Sequence, residues 1–358
     1  MTAFEHTTLA QRVVFGTGQA RSNFRAEVER TDARRVMVIA APSESDLAQT
    51  ITAETKVVLH WDDVLPHVPI DKAEAARAAA KIHDVDLVVC IGGGSTTGLA
   101  KAVALTTGLP IVAIPTTYAG SEATNVWGLT EHARKTTGID DRVLPRTIIY
   151  DAELTATLPS SLSVASGLNA LAHCIDSMWA PRTDPIDQAF AAEGIRALGQ
   201  GLPAIKDAAG LTLDGREETL YGAYLSAVAF SSAGSGMHHK ICHVLGGAYN
   251  LPHAQTHAVV LPYVLAYLAP AAPAAEKRIA GALGSATAVD GLNDLRRRLD
   301  APTALADHGF AEESIEEAVE LILPSIPAST PRAVTPSDLR TLLRAAWSGE
   351  YPSTGLFS

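Results

Sequence analysis

The 358 residues suffice for two domains of ordinary size, each with its own hydrophobic core, which excludes a peptide hormone, a lone binding module and a disulfide-stapled miniprotein. Apolar residues make up 47% and charged residues 19%, against about 25% charged in an average globular chain, the balance of a well-buried protein rather than a disordered one. Lys plus Arg number 28 against 39 Asp plus Glu, a net charge of −11 with no basic block to neutralise a run of phosphates, which argues against a nucleic-acid partner.

The start, Met1-Thr2-Ala3-Phe4-Glu5-His6, has neither the basic residues nor the apolar core of a signal peptide. Continuous apolar runs of strand length follow at 36–40, 56–59, 87–91, 111–114 and 147–150, and 71–83 and 96–107 read as crossover helices between them. That alternation predicts an α/β domain with a mainly parallel sheet covered on both faces. After Tyr150 the strand signal stops. Helical spacing predicts helices over 162–180, 185–206, 216–230, 236–245, 254–268, 291–298, 312–323 and 336–346, so the border is drawn between an α/β domain, 1–155, and an all-α domain, 156–358. The uncharged stretch 219–237 is the nearest approach to a membrane span, but its Ser and Gly content and its single occurrence favour a helix buried in protein. Pro-rich 324–336 is too short for a disordered linker and is expected to wrap the surface. Cys90, Cys174 and Cys242 form no C-x-x-C pair and indicate neither a disulfide framework nor a thiolate zinc site, which fits a reducing cytoplasm.

Segment 86–101 reads DLVVCIGGGSTTGLAK: an apolar strand, Gly92, Gly93 and Gly94, a hydroxyl at Ser95, then a helix. Glycines let backbone N–H groups approach a phosphate, and the helix N-terminus adds its positive dipole end, so the segment suits a pyrophosphate. It is neither a G-x-G-x-x-G fingerprint nor a Walker loop, and a plain strand-to-helix turn stays open beside the binding role. A second loop, carrying Thr116, Thr117, Tyr118 and Ser121, follows the next strand and should open on the same sheet edge. Lys135 offers a further charge to a cofactor or is a solvated surface lysine.

Five of the twelve histidines fall within twenty residues: His238, His239, His243, His253 and His257. Asn169 with His173, His239 with His243, and His253 with His257 each stand four apart, which puts both members of a pair on one helix face. Three helices then present polar groups to one cavity, and burying several imidazoles without a purpose is costly. Gly246-Gly247 reads as a helix stop, and Asn250-Leu251-Pro252 restarts a helix that brings His253 back towards His239.

Gly92-Gly93-Gly94-Ser95, Pro115-Thr116-Thr117 with Gly120-Ser121-Glu122, Asp151-x-Glu153-Leu154 with Thr157-Leu158-Pro159, and His239 with His253-Ala254 together resemble the iron-containing (group III) alcohol dehydrogenases, in order and over about residues 10 to 350. Within that family, segments 115–122, 135–138 and 237–243 look most like the maleylacetate reductases. The resemblance implies an N-terminal dinucleotide-binding domain and a helical, dehydroquinate-synthase-like C-terminal domain. It also implies a cleft between the two, NADH or NADPH as cofactor, and a homodimer. In the metal-dependent members an Asp and three His hold iron or zinc, at positions matching Asn169, His173, His239 and His253. The Asp is Asn169 here, and Gly98 stands where the wider family has an Asp in the glycine loop. Both departures are typical of the maleylacetate reductases, which are regarded as working without a metal.

Electrostatics points the same way. At about 4 Å and an effective dielectric near 20, a carboxylate attracts each unit of cation charge by roughly 4 kcal/mol before desolvation, which an amide forgoes. Three neutral imidazoles still hold zinc in some enzymes, so metal occupancy stays open. The implied substrate is a small dicarboxylate whose alkene is conjugated to a ketone, reduced to 3-oxoadipate. His243 is assigned as proton donor, His173, His239 and His253 as groups orienting the substrate or its enolate, and Asn169 as a hydrogen-bond donor. Tyr118 and Lys240 are candidates for carboxylate contacts, or else packing and a surface charge. One alternative is a metal-dependent alcohol or polyol dehydrogenase with iron or zinc on the three histidines. The other is a nucleotide-binding protein that kept the fold without the chemistry. After 36–40 come Ala41-Pro42-Ser43, with no acid to grip a ribose, so the choice between NADH and NADPH is open.

Overall fold

The computed structural model describes residues 3–131 and 134–357. The chain forms two compact units, residues 8–158 and residues 159–358 together with 1–7. The border thus falls at 158/159, and the first seven residues join the helical unit through His6, which bonds Asp184 at 2.7 Å.

In the unit 8–158, strands β1 (Arg12–Phe15), β2 (Val36–Ile39), β3 (Val57–Trp61), β4 (Leu87–Gly92) and β5 (Ile111–Pro115) appear in turn. They are followed by an antiparallel hairpin, β6 (Val126–Glu131) and β7 (Arg134–Ile139), and by β8 (Thr147–Tyr150). Six of them make one sheet in the order β1-β8-β5-β4-β2-β3, every adjacent pair parallel. Helices α1 (Ala20–Thr31) and α2 (Ser45–Thr52) cover one face, with Phe24 and Ile51 against Val36, Val38, Val89 and Ile91. Helices α3 (Ile70–Ile82) and α4 (Gly94–Thr107) cover the other, with Ala76, Leu99 and Val103 against Met37, Ile39, Val88 and Cys90. Successive residues of β2 and β4 therefore enter opposite cores, which is why those strands read as unbroken apolar runs.

The helical unit contains α5 (Ser160–Ser177), α6 (Pro185–Asp207), α7 (Leu213–Ala233), α8 (Met237–Tyr249), α9 (His253–Leu268), α10 (Pro273–Leu283), α11 (Ala288–Arg298), α12 (Ile315–Ile322) and α13 (Pro336–Ser348). Helices α6 and α7 cross on glycine. A Cβ at Gly201 would lie 2.7 Å from the Gly215 carbonyl oxygen, and one at Gly222 3.1 Å from that of Gly194. Stretch 219–237 belongs largely to α7, which also buries Arg216, and among the described residues no helix is long and apolar enough to cross a membrane. Helix α8 does not stop at Gly246-Gly247. It runs on to Tyr249 and ends where Asn250 takes a left-handed φ of 53°.

Candidate active site

The candidate residues fall in two groups, one in each unit. On the sheet, Gly92 of β4 pairs with Pro115 of β5, and Thr116 N–H donates to the Gly92 carbonyl at 3.2 Å. The glycine loop and the Thr116-Thr117 loop are therefore neighbours on one sheet edge. Helix α4 begins at Gly94, two residues before the sequence suggests, and no side chain caps its first N–H groups. Gly92 has φ +149° and a Cβ there would sit 2.5 Å from Thr96 Oγ1, so this position requires glycine. A Cβ at Gly93 would crowd Thr117 at 3.1 Å, while Gly94 is exposed at the helix start. An uncapped helix N-terminus framed by glycines and by Ser95, Thr116 and Thr117 fits the pyrophosphate of a dinucleotide. Ser121 is half-buried at the far end of the second loop.

Sequence reasoning missed what holds that loop. Lys101, buried on α4, donates from Nζ to the carbonyl oxygens of Ser121 (2.6 Å), Thr124 (2.8 Å) and Val126 (2.8 Å). Burial pushes its ammonium down to about 7, against the pull of Glu122. Glu44, after β2, lies 3.4 Å from Thr116 Oγ1, so an acid does reach this edge. Tyr118 is fully buried and donates its hydroxyl to Thr155 Oγ1 at 3.2 Å, so its ring packs inside the unit. The side chain of Lys135 lies outside the described residues. At Gly98 a Cβ would meet Val68 at 2.8 Å, so no larger side chain fits without a shift there.

In the helical unit the three pairs lie on three helices, as their spacing requires: Asn169 and His173 on α5, His239 and His243 on α8, His253 and His257 on α9. The His173 ring stacks on that of His239 at 4.9 Å, and Phe230 covers both at 4.7 and 4.3 Å. The His243 ring lies 6.0 Å from that of His239, and His257 links His239 (5.0 Å) to His253 (4.4 Å). Asn169, His173 and His239 are buried, His243 and His253 are exposed, and Lys240 is half-buried. His239 Nδ1 donates to Asp176 Oδ2 at 2.7 Å, a partner not foreseen although Asp176 follows His173 by three on the same helix. The same carboxylate accepts the backbone N–H of Gly236, His238 and His239, capping α8.

Burial first, and neighbouring imidazoles second, push His173 and His239 well below the usual 6.5, so both are neutral at pH 7. Burial likewise raises the Asp176 carboxyl, and His238 and the three N–H groups pull it back. Asn169 Oδ1, His173 Nδ1 and His239 Nε2 are buried with no hydrogen-bond partner. Behind them His238 Nε2 meets His257 Nδ1 at 2.9 Å, with the thiol of Cys242 at 3.6 Å. Among the described residues, two sets of three donors approach within 4.8 Å of one another: His238, Cys242 and His257, and His6, Asp184 and Asp187. His173, His239 and His253 are not such a set, and Asn169 brings an amide to it.

Comparison with known proteins now decides the family. The model for iron-containing alcohol dehydrogenase matches residues 10–152, and that for the C-terminal part of the Fe-containing alcohol dehydrogenase family matches 163–347. The chain belongs to the iron-containing alcohol dehydrogenase family. Like its relatives it is an oxidoreductase. It is 44% identical to a maleylacetate reductase of Burkholderia cepacia, over 99% of this chain and all of that one. An iron-containing alcohol dehydrogenase of Corynebacterium glutamicum superimposes with a TM-score of 0.98 at 59% identity, covering 99% of each chain. The maleylacetate reductase of a Rhizobium strain superimposes at 0.93 with 40% identity, covering 98% of this chain and all of that one.

Proposed function

We propose that this family member reduces the carbon–carbon double bond of maleylacetate to give 3-oxoadipate in the degradation of aromatic compounds, and that it does so without a metal. The observation that carries the reading is Asn169, a buried amide with an unpartnered oxygen at the position of the family's metal-binding Asp, beside two neutral imidazoles. Replacing a carboxylate by an amide weakens a cation site and favours a dianion at the same position. Full-length similarity to maleylacetate reductases supports the substrate.

Gly92, Gly93, Gly94 and Ser95, with Thr116, Thr117 and Ser121, would hold the dinucleotide, and Lys135 would add a charge. When bound, reduced nicotinamide supplies hydride to the alkene carbon β to the ketone. Negative charge then gathers on the ketone oxygen, where N–H groups of His173 and His253 and of Asn169, turned to present its amide nitrogen, stabilise the enolate. His239 keeps a fixed orientation through Asp176, and His173 is held by the rings of Phe230 and His239. His243, exposed one turn from His239 on α8, delivers the proton to the α carbon and is recharged from solvent. Lys240, half-buried on the same helix, balances a substrate carboxylate. Glu44 beside Thr116 favours NADH, because a carboxylate repels a 2′-phosphate. Three buried, free cysteines suit a cytoplasmic enzyme, and a homodimer is the assembly expected of the family.

Consumption of NADH and NADPH with maleylacetate, set against simple aldehydes, tests the reading. Turnover should appear with maleylacetate alone, and His243→Ala should lower kcat by roughly 10²–10⁴. Efficient aldehyde reduction with no activity on maleylacetate would favour the alcohol dehydrogenase alternative.

A further inference from the structure

We propose that His6, Asp184 and Asp187, at the N-terminus of α6, form a divalent-cation site of the zinc class that has no part in the reaction. His6 Nδ1 lies 2.7 Å from Asp184 Oδ2 and 3.7 Å from Asp187 Oδ1, with Ser232 Oγ at 3.5 Å. All three side chains are buried, at 7%, 3% and 0% exposure. Asp184 is occupied on its other side: Oδ1 caps α6 by accepting from Ile186 N–H at 2.7 Å and Asp187 N–H at 3.0 Å. A capped Asp184 bonded to His6 is therefore explained without a ligand.

Asp187 is not. Both its oxygens are fully buried, without a hydrogen-bond partner, and one is aimed at the His6 ring nitrogen that Asp184 shares. A carboxylate in the interior without a donor is costly, and the cost is relieved by a proton or by a cation. One imidazole nitrogen and two carboxylate oxygens, each within 4.8 Å of the others, are the donor set zinc accepts, with Ser232 or water completing it. The ion would fasten the segment around His6 to α6 and to α7, which carries Ser232.

Calorimetric titration of the chelator-treated, dialysed full-length protein with Zn²⁺ tests this. One binding event should persist in His239→Ala and weaken about tenfold or more in Asp187→Asn and in His6→Gln, with maleylacetate turnover of the last two variants unchanged. His6 lies in a short terminal segment, so its variant decides the matter if Asp187→Asn does not fold. No binding up to about 1 mM Zn²⁺, or an event lost in His239→Ala and retained in both other variants, would overturn the proposal.

Discussion

Asp176 does two things with one carboxylate. It caps α8 through the N–H groups of 236, 238 and 239, and it fixes the proton of His239 on Nδ1, leaving Nε2 directed elsewhere. An outer partner of this kind sets the tautomer of the group that meets the substrate. Asp176→Asn keeps the size and one acceptor but removes the charge that holds the His239 proton on Nδ1. We expect kcat to fall roughly 10–100-fold with KM little changed, read by steady-state kinetics. Unaltered kcat would reduce Asp176 to a helix cap. At this scale the sequence reveals the pairs four apart, because helical spacing alone brings Asn169, His173, His239 and His243 to shared faces. It does not reveal that Lys101 serves the loop 121–126, or that Tyr118 is sealed against Thr155, since both depend on contacts made only once distant segments pack.

Among the elements, α6 and α7 set the frame that α5 packs on, and their crossing admits no side chain at Gly201: a Cβ there would stand 2.4 Å from Thr219 Oγ1 and 2.7 Å from the Gly215 carbonyl oxygen. Backbone cannot rotate away as a flexible side chain does, so Gly201→Ala should destabilise by about 1–3 kcal/mol, measured by urea denaturation. A neutral or stabilising substitution would mean that the crossing is looser than it looks. Strands β2, β4, β5 and β8 are readable from sequence because both of their faces are buried. Strand β1 is not, since its four residues include two exposed ones, nor is α1, whose core contacts are Ala20, Phe24 and Glu27 amid charged residues. Helix α10 carried a usable sign in Pro273 at its first position. Gly246-Gly247 misleads as a stop because a glycine pair lowers helix propensity without ending a helix whose left-handed exit lies at Asn250.

For the whole molecule, the buried histidines link stability to pH. His173, His238, His239 and His257 are all held well below 6.5, chiefly by burial, so below that pH the unfolded chain binds protons that the folded one refuses. Stability is then complete above pH 6.5 and falls as pH drops, by up to about 1.4 kcal/mol per pH unit for each such histidine. Asp187, raised to about 6, acts in the opposite sense and offsets part of the loss. In chelator, Tm should fall between pH 6.5 and about pH 5, and His257→Gln should fall less steeply than the parent protein. Parallel curves would show that these imidazoles do not govern acid lability.

The central claim is that a histidine cluster built on a metal-binding framework handles a dianion with an amide in place of the carboxylate. Maleylacetate turnover in excess chelator, compared between the parent protein and Asn169→Asp, addresses it most directly. The account predicts full activity of the parent in chelator, and in Asn169→Asp a raised KM together with tighter zinc binding. Activity of the parent that vanishes in chelator and returns with iron or zinc would contradict it.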